Sequence, residues 1–197
     1  SMTAYNGYLY VTGGINSRAA GRKTIQYAPV GLSGDISLPW ATSNNLMSTS
    51  KFFHASAVYN GYIYVTGGNT GTVTGGTYTN VVEYAPINVA GTVGAWASAA
   101  SFATGRDAHA TVIHAGKIYV IGGYSNLSDI QYATIGTSGS LTTQTCPNST
   151  TATWCTTTSL PAARNGMTAS MNNGVLYIAG GGLGSGGATI KDDVLYA

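Results

Sequence analysis

Four short apolar runs punctuate the chain, each five residues long and each closed by a pair of glycines. They are Tyr8–Thr12 before Gly13-Gly14, Tyr62–Thr66 before Gly67-Gly68, Lys117–Ile121 before Gly122-Gly123, and Val175–Ala179 before Gly180-Gly181. Their residues are mostly β-branched or aromatic, which fits a strand buried on both faces rather than an alternating, half-exposed one. A tight turn stands before each run: Asn6-Gly7, Asn60-Gly61, Ala115-Gly116 and Asn173-Gly174. Asn-Gly supplies the two positive-φ residues of a type I′ hairpin, so a second strand must precede each turn. Those strands are 54–59, 109–114 and 167–172, with only residues 3–5 left of the first copy.

A third strand follows each glycine pair after a loop of variable length. Its end reads Gln26-Tyr27-Ala28, Glu83-Tyr84-Ala85, Gln131-Tyr132-Ala133 and Leu195-Tyr196-Ala197. A fourth strand is expected to end at Trp40, Trp96 and Trp154, with no counterpart in the last copy. The repeat, of 54 to 58 residues between glycine pairs, is therefore four antiparallel strands, a to d. That length and strand count mark a β-propeller blade.

A basic residue stands 17 positions before the second glycine of its own pair in three copies, at Lys51, Arg106 and Arg164. A base, an apolar strand, Gly-x-Ile-Tyr-Val-x-Gly-Gly, a Tyr and a Trp together resemble the Kelch repeat, over essentially the whole chain. One position departs, with Tyr-Ala where Tyr-Asp-Pro is common. The resemblance implies an all-β propeller whose blades surround a central channel, strand a innermost. The blades fall at about 1–40, 51–96, 106–154 and 164–197, the last lacking its outer strand. Residues 1–197 then form a single Kelch-type propeller or a propeller fragment. A further alternative is a homodimer in which a second copy completes an eight-bladed ring.

Composition narrows the function classes. Only 7% of residues are charged, Gly is 28 of 197 and the net charge is +2. That charge is too small for phosphate neutralisation, so no nucleic-acid partner is expected. No run approaches the ~20 apolar residues of a membrane span. The light charge suits a secreted or cell-surface protein, microbial by its resemblance. Cys146 and Cys155 enclose eight residues. We expect them to be bridged, with free thiols or a catalytic thiol as alternatives. The third copy is longer between its Tyr and Trp, so this pair lies in an extra hairpin on the outer rim.

Blade geometry puts the b–c and d–a connections on one face. The b–c loops vary most, and variable loops on a rigid scaffold are where binding usually resides. Arg18, Arg22 and Lys23 lie in the first b–c loop, and Lys51, Arg106 and Arg164 at the start of strand a. One reading is a weakly cationic pocket for a carboxylate, an acidic glycan or an acidic peptide. The other is structural, with Lys51, Arg106 and Arg164 bonded to neighbouring-blade carbonyls or paired with acids. His54 and His109 share a repeat position with Met167, which points to packing. The strand-b tyrosines Tyr10, Tyr64, Tyr119 and Tyr177 and the three tryptophans are expected to pack between blades.

Enzymatic readings lack a constellation. The copper site of galactose oxidase-like propellers needs Tyr and His ligands with a Cys joined to a Tyr, and the rim position expected for Cys146 and Cys155 is away from the channel. Ser33 to Trp40 approximates a sialidase box once only. An epimerase of the N-acetylneuraminate type would need acid–base groups, and the chain has six acids. We therefore expect no enzyme, no cofactor and no metal, but a non-catalytic binding module for a glycan or protein ligand. A part of a carbohydrate-active Kelch enzyme and a structural or assembly propeller are the alternatives.

Overall fold

A computed structural model describes residues 1–16, 20–72, 75–124, 126–184 and 189–197, and every regular element among them is a β-strand. The first blade is β1 (Met2–Tyr5), β2 (Tyr8–Thr12), β3 (Ile25–Pro29) and β4 (Ala41–Thr42), antiparallel in that order. The second repeats it with β5 (Ala55–Tyr59), β6 (Tyr62–Thr66), β7 (Val82–Pro86) and β8 (Ala97–Ala99). The third begins with β9 (Ala110–His114), β10 (Lys117–Gly123) and β11 (Leu127–Ile135). Its outer strand is split into β12 (Leu141–Thr142) and β15 (Trp154–Thr157), both paired to β11. Between them stands a small hairpin of β13 (Gln144–Thr145) and β14 (Thr151–Ala152). The fourth blade has β16 (Thr168–Asn172), β17 (Val175–Ala179) and, after a ribbon of β18 (Gly182–Leu183) and β19 (Thr189–Ile190), β20 (Val194–Tyr196). The four sheets are the blades of a β-propeller.

The strand a–b turns take the expected form: φ is 47° and 76° at Asn6-Gly7, and 46° and 79° at Asn60-Gly61. The inner strands neighbour one another in chain order, β1 beside β5, β5 beside β9, β9 beside β16. Apolar layers fill the joints. Tyr10, Ile25, Met47, Ile63 and Val65 are buried between the first two blades. Ile121, Ile130, Leu160, Met167 and Ile178 fill the joint between the last two. Each such side chain contributes about 1.5–3 kcal/mol by leaving water. The strand-b tyrosines also reach across: Tyr10 Oη donates to Gly91 O at 3.0 Å, and Tyr64 Oη to Gly139 O at 2.8 Å.

The glycine pairs let one blade touch the next. Gly67 has φ of 55°, and a Cβ there would lie 2.6 Å from His109 Cε1 and 2.7 Å from Arg106 O. No other residue fits both the conformation and the approach. Gly68 N then donates to Arg106 O at 2.8 Å, as Gly14 N does to Lys51 O at 3.0 Å and Gly123 N to Arg164 O at 2.9 Å.

The outer strand differs from expectation in one respect. It begins at or just after the tryptophan instead of ending there, so the sheets extend to Thr42, Ala99 and Thr157. The indole explains the start point. Trp96 Nε1 donates to Asn45 O at 3.3 Å and Trp154 Nε1 to Ala100 O at 2.7 Å, pinning each strand to the connection before its blade. Cys146 and Cys155 are bridged, with Cys146 beside the β13–β14 hairpin and Cys155 within β15.

Candidate functional site

The recurrent bases lie inside the blades. Lys51 and Arg106 are 0% exposed and Arg164 1%. Lys51 Nζ pairs with Glu83. Arg106 holds Asp129 through two bonds of 2.9 and 2.8 Å and donates to Gly122 O at 2.8 Å. Arg164 does the same with Asp193, at 2.9 and 3.1 Å, and with Gly180 O at 3.1 Å. Each side chain thus ties the start of strand a to strand c, or the residue before it, of its own blade. Its carbonyl meanwhile ties that blade to the preceding glycine pair. Lysine, a point charge, takes a Glu, whereas the two arginines take an Asp two repeat positions earlier and grip it with both arms. Burial alone would raise the Glu83 carboxyl, but bonds from Lys51 and Ser48 outweigh it and hold the group below its ordinary value. For Asp129 the opposing bonds come from Arg106 and Gln131. Buried and neutralised, these bases offer a ligand little charge.

The other expected bases behave differently. Arg22 and Lys23 are exposed on the first b–c loop, and neither belongs to an ion pair among the described residues. Arg18 lies outside the described residues.

The same face gathers a polar and aromatic cluster around Asp107, one residue after Arg106. Asp107 is 5% exposed, and burial lifts its carboxyl to about 6 against the opposing bond from Asn69. Asn69 follows the second glycine pair and is itself held in place. Its Oδ1 accepts from Gly71 N at 2.9 Å and Thr77 N at 3.2 Å, so its amide nitrogen remains for Asp107. Tyr78 and Tyr124 stand edge to face, their ring centroids 5.2 Å apart. Tyr78 is 38% exposed, and burial, then Tyr124 and Asp107, push its phenol above the ordinary value. Short backbone bridges Asn69↔Tyr78 and Asp107↔Tyr124 bring these four together.

The sequence carries a faint signal for this cluster. Phe52, Asp107 and Asn165 occupy one repeat position, so only the third copy places a carboxylate there. Tyr78 and Tyr124 stand outside the repeated tyrosine positions, in loops otherwise rich in Gly, Ser and Thr. Nothing along the chain announces that they converge, because that needs two adjacent blades.

Among the described residues no group of three or more His, Cys, Asp or Glu side chains could hold a metal ion. No helix is long and apolar enough to cross a membrane.

No family model matches the chain, and no curated protein matches it. Solved structures do. One, described as the "Structure of YjhT", superposes with a TM-score of 0.67 at 17% identity, over 100% of this chain and 65% of that one. The chain thus spans about two-thirds of that protein's length. At such identity the likeness shows the fold alone: the chain is similar to a β-propeller.

Proposed function

We propose that the chain is a non-catalytic, Kelch-type binding module of a secreted or cell-surface protein, and that its b–c/d–a loop face takes a glycan. The supporting observation is Asp107 bonded to Asn69 beside the exposed ring of Tyr78. A sugar has an apolar C–H face that lies against an aromatic ring. Its hydroxyls need paired donors and acceptors, which a carboxyl and an amide supply. Such a site needs a few fixed polar groups on a rigid frame. Arg22 and Lys23, exposed on this face, would add a preference for acidic sugars.

An oligosaccharide panel titrated calorimetrically against the protein tests this. The expected result is saturable binding that weakens at least tenfold in both Tyr78→Ala and Asp107→Asn. Binding of an acidic sugar would weaken further in Arg22→Ala with Lys23→Ala. A glycan bound equally by all variants, or a panel that yields none, overturns the proposal and leaves a protein partner as the alternative.

One observation favours a second reading, a part of a carbohydrate-active Kelch enzyme. A carboxyl lifted to about 6 is poised for acid–base work near neutral pH. Turnover of a sugar by the protein, lost in Asp107→Asn without loss of sugar binding, would select it.

A further inference from the structure

Of the three phenylalanines, the core takes two. Phe52 and Phe102 are each 1% exposed, but Phe53 is 56% exposed. Its φ is 51°, a left-handed conformation that is a genuine outlier for a bulky residue. The same repeat position holds smaller residues elsewhere, Ala108 and Gly166, also at positive φ. A Cβ at Gly166 would meet no atom within 4 Å, so a side chain there enters open space. The Phe53 ring meets that of Phe52 in a T-shaped contact at 5.1 Å, and more than half of the residue stays in water. Backbone strain of this kind collects at ligand sites.

The backbone puts Phe53 beside Asp107. The N–H of the Asp107–Ala108 peptide donates to Phe53 O at 2.7 Å. Next along the chain, Phe52 exchanges two bonds with Asn69, of 2.8 and 3.1 Å. Asn69 is bridged in turn to Tyr78. Phe52, Asn69 and Tyr78 therefore form a row across three chain segments, about 10 Å from end to end at ordinary strand spacing. Phe53 leaves one end of this row and Tyr78 closes the other, with the Asn69–Asp107 pair between them. A single pyranose ring is too short to reach from one aromatic to the other.

We infer that Phe53 is a second sugar-stacking residue on this face, and that the ligand is an oligosaccharide of three or more linked units. The inference rests on the glycan reading above and gives that ligand a length. One unit lies against Tyr78, the next presents its hydroxyls to Asp107 and Asn69, and a third lies against Phe53. The aromatic rings take the apolar C–H faces of the outer units, and the polar pair fixes the register of the chain. Phe53 acts as a specificity residue: it adds affinity only for chains long enough to reach it.

Glucose, N-acetylglucosamine and galacturonate oligomers of one to four units are titrated calorimetrically against the protein and its Phe53→Leu, Phe53→Tyr and Tyr78→Ala variants. Leucine keeps the apolar bulk and the strained φ but has no ring, whereas tyrosine keeps the ring. Support is an affinity that rises at least tenfold from one unit to three, a gain lost in Phe53→Leu and kept in Phe53→Tyr. A series with no gain in length overturns the inference, as does a gain that survives Phe53→Leu. Equal loss in the leucine and tyrosine variants also overturns it, because the residue would then matter only to the fold. In those three cases, binding that still weakens in Tyr78→Ala leaves the glycan reading standing. A panel in which no oligomer binds overturns both.

Discussion

Thr66 and His109 meet across the joint between the second and third blades, hydroxyl Oγ1 2.9 Å from imidazole Nε2, both buried. Thr12 and His54 repeat the contact one joint earlier, also at 2.9 Å. At the third joint the same repeat positions hold Ile121 and Met167, both buried in one apolar cluster. The pair changes together: where the imidazole goes, so does the hydroxyl that satisfied it. His109→Met alone strands the Thr66 hydroxyl with Thr111 as its remaining partner. It should cost about 1–3 kcal/mol. Adding Thr66→Ile should return part of that loss. Urea melts of the two single variants and the double close the cycle, and strictly additive effects would contradict the pairing.

The histidines make stability depend on pH. Burial, with repulsion from Arg106 and against the Thr66 bond, brings His109 to about 3. Burial likewise holds His54 well below its ordinary value, with repulsion from the chain's amino terminus and Lys51. The unfolded chain takes up these protons near pH 6.5 and the folded chain does not. Stability is thus full above about pH 6.5 and falls as pH drops toward 3, by about 1.4 kcal/mol per unit for each histidine. Asp107 acts oppositely, because its raised value of about 6 favours the folded state at the acid end. Its contribution is lost as pH rises from about 4 to 6, and it offsets one histidine there. Midpoints measured from pH 4 to 8 should rise with pH. They should rise less steeply in the Thr66→Ile, His109→Met double variant, and an unchanged slope would refute the assignment.

The repeat made the architecture readable. Four glycine pairs at near-constant spacing, four tight turns and three recurrent bases fixed the strand order and the blade count, because each feature answers one local demand. The glycines answer close approach, the Asn-Gly turns a positive φ, and the bases a carboxylate on strand c or the residue before it. What lay beyond reading was pairing across distance. The acid for Lys51 is Glu83, on strand c, whereas Arg106 and Arg164 take acids two positions earlier, an exchange visible only once strands are in register. Along the chain Asp107 is one acid among six; the Asn69 that bonds it comes from the neighbouring blade.

The three ion pairs should differ in worth with the exposure of their carboxylates, 1% for Glu83, 28% for Asp129 and 45% for Asp193. Glu83→Ala leaves Lys51 charged in a dry site and should cost about 3–5 kcal/mol. Asp129→Ala should cost less, since water reaches the stranded Arg106 from that side. Asp193→Ala should cost least of the three. Chemical denaturation of the series checks the order, and an Asp193 variant as unstable as the Glu83 variant would show that exposure does not govern these pairs.

Ala108 carries a positive φ of 48°, as Phe53 does at 51°, while the matching residue of the fourth blade is Gly166 at 65°. The three link hand to hand, Ala108 N donating to Phe53 O and Gly166 N to Ala108 O, each at 2.7 Å. The left-handed conformation costs a non-glycine residue about 1–2 kcal/mol, and glycine avoids it at about 0.5–1 kcal/mol of chain entropy. Ala108→Gly should therefore stabilise by about 0.5 kcal/mol. Ala108→Val, whose branched Cβ worsens the strain, should destabilise. Thermal melts decide it, and a loss of stability in the glycine variant would mean that the Ala108 methyl packs more than it strains.

The disulfide lies where it can be tested without losing the fold. Cys155 sits on β15, which pairs with β11 from Ile130↔Thr157 to Ala133↔Trp154. The bridge to Cys146 closes only the small β13–β14 hairpin over a sequence separation of 9. Closing so short a loop removes about 2–3 kcal/mol of chain entropy from the unfolded state, in the loop-closure account. Reduction should lower the melting temperature while leaving the β-sheet circular dichroism below the transition unchanged. Thiol titration of the unfolded, unreduced protein should find none. Two reactive thiols would show the pair to be open. A collapse of the whole spectrum on reduction would show that the hairpin holds the outer edge of the third blade in place, and not merely itself.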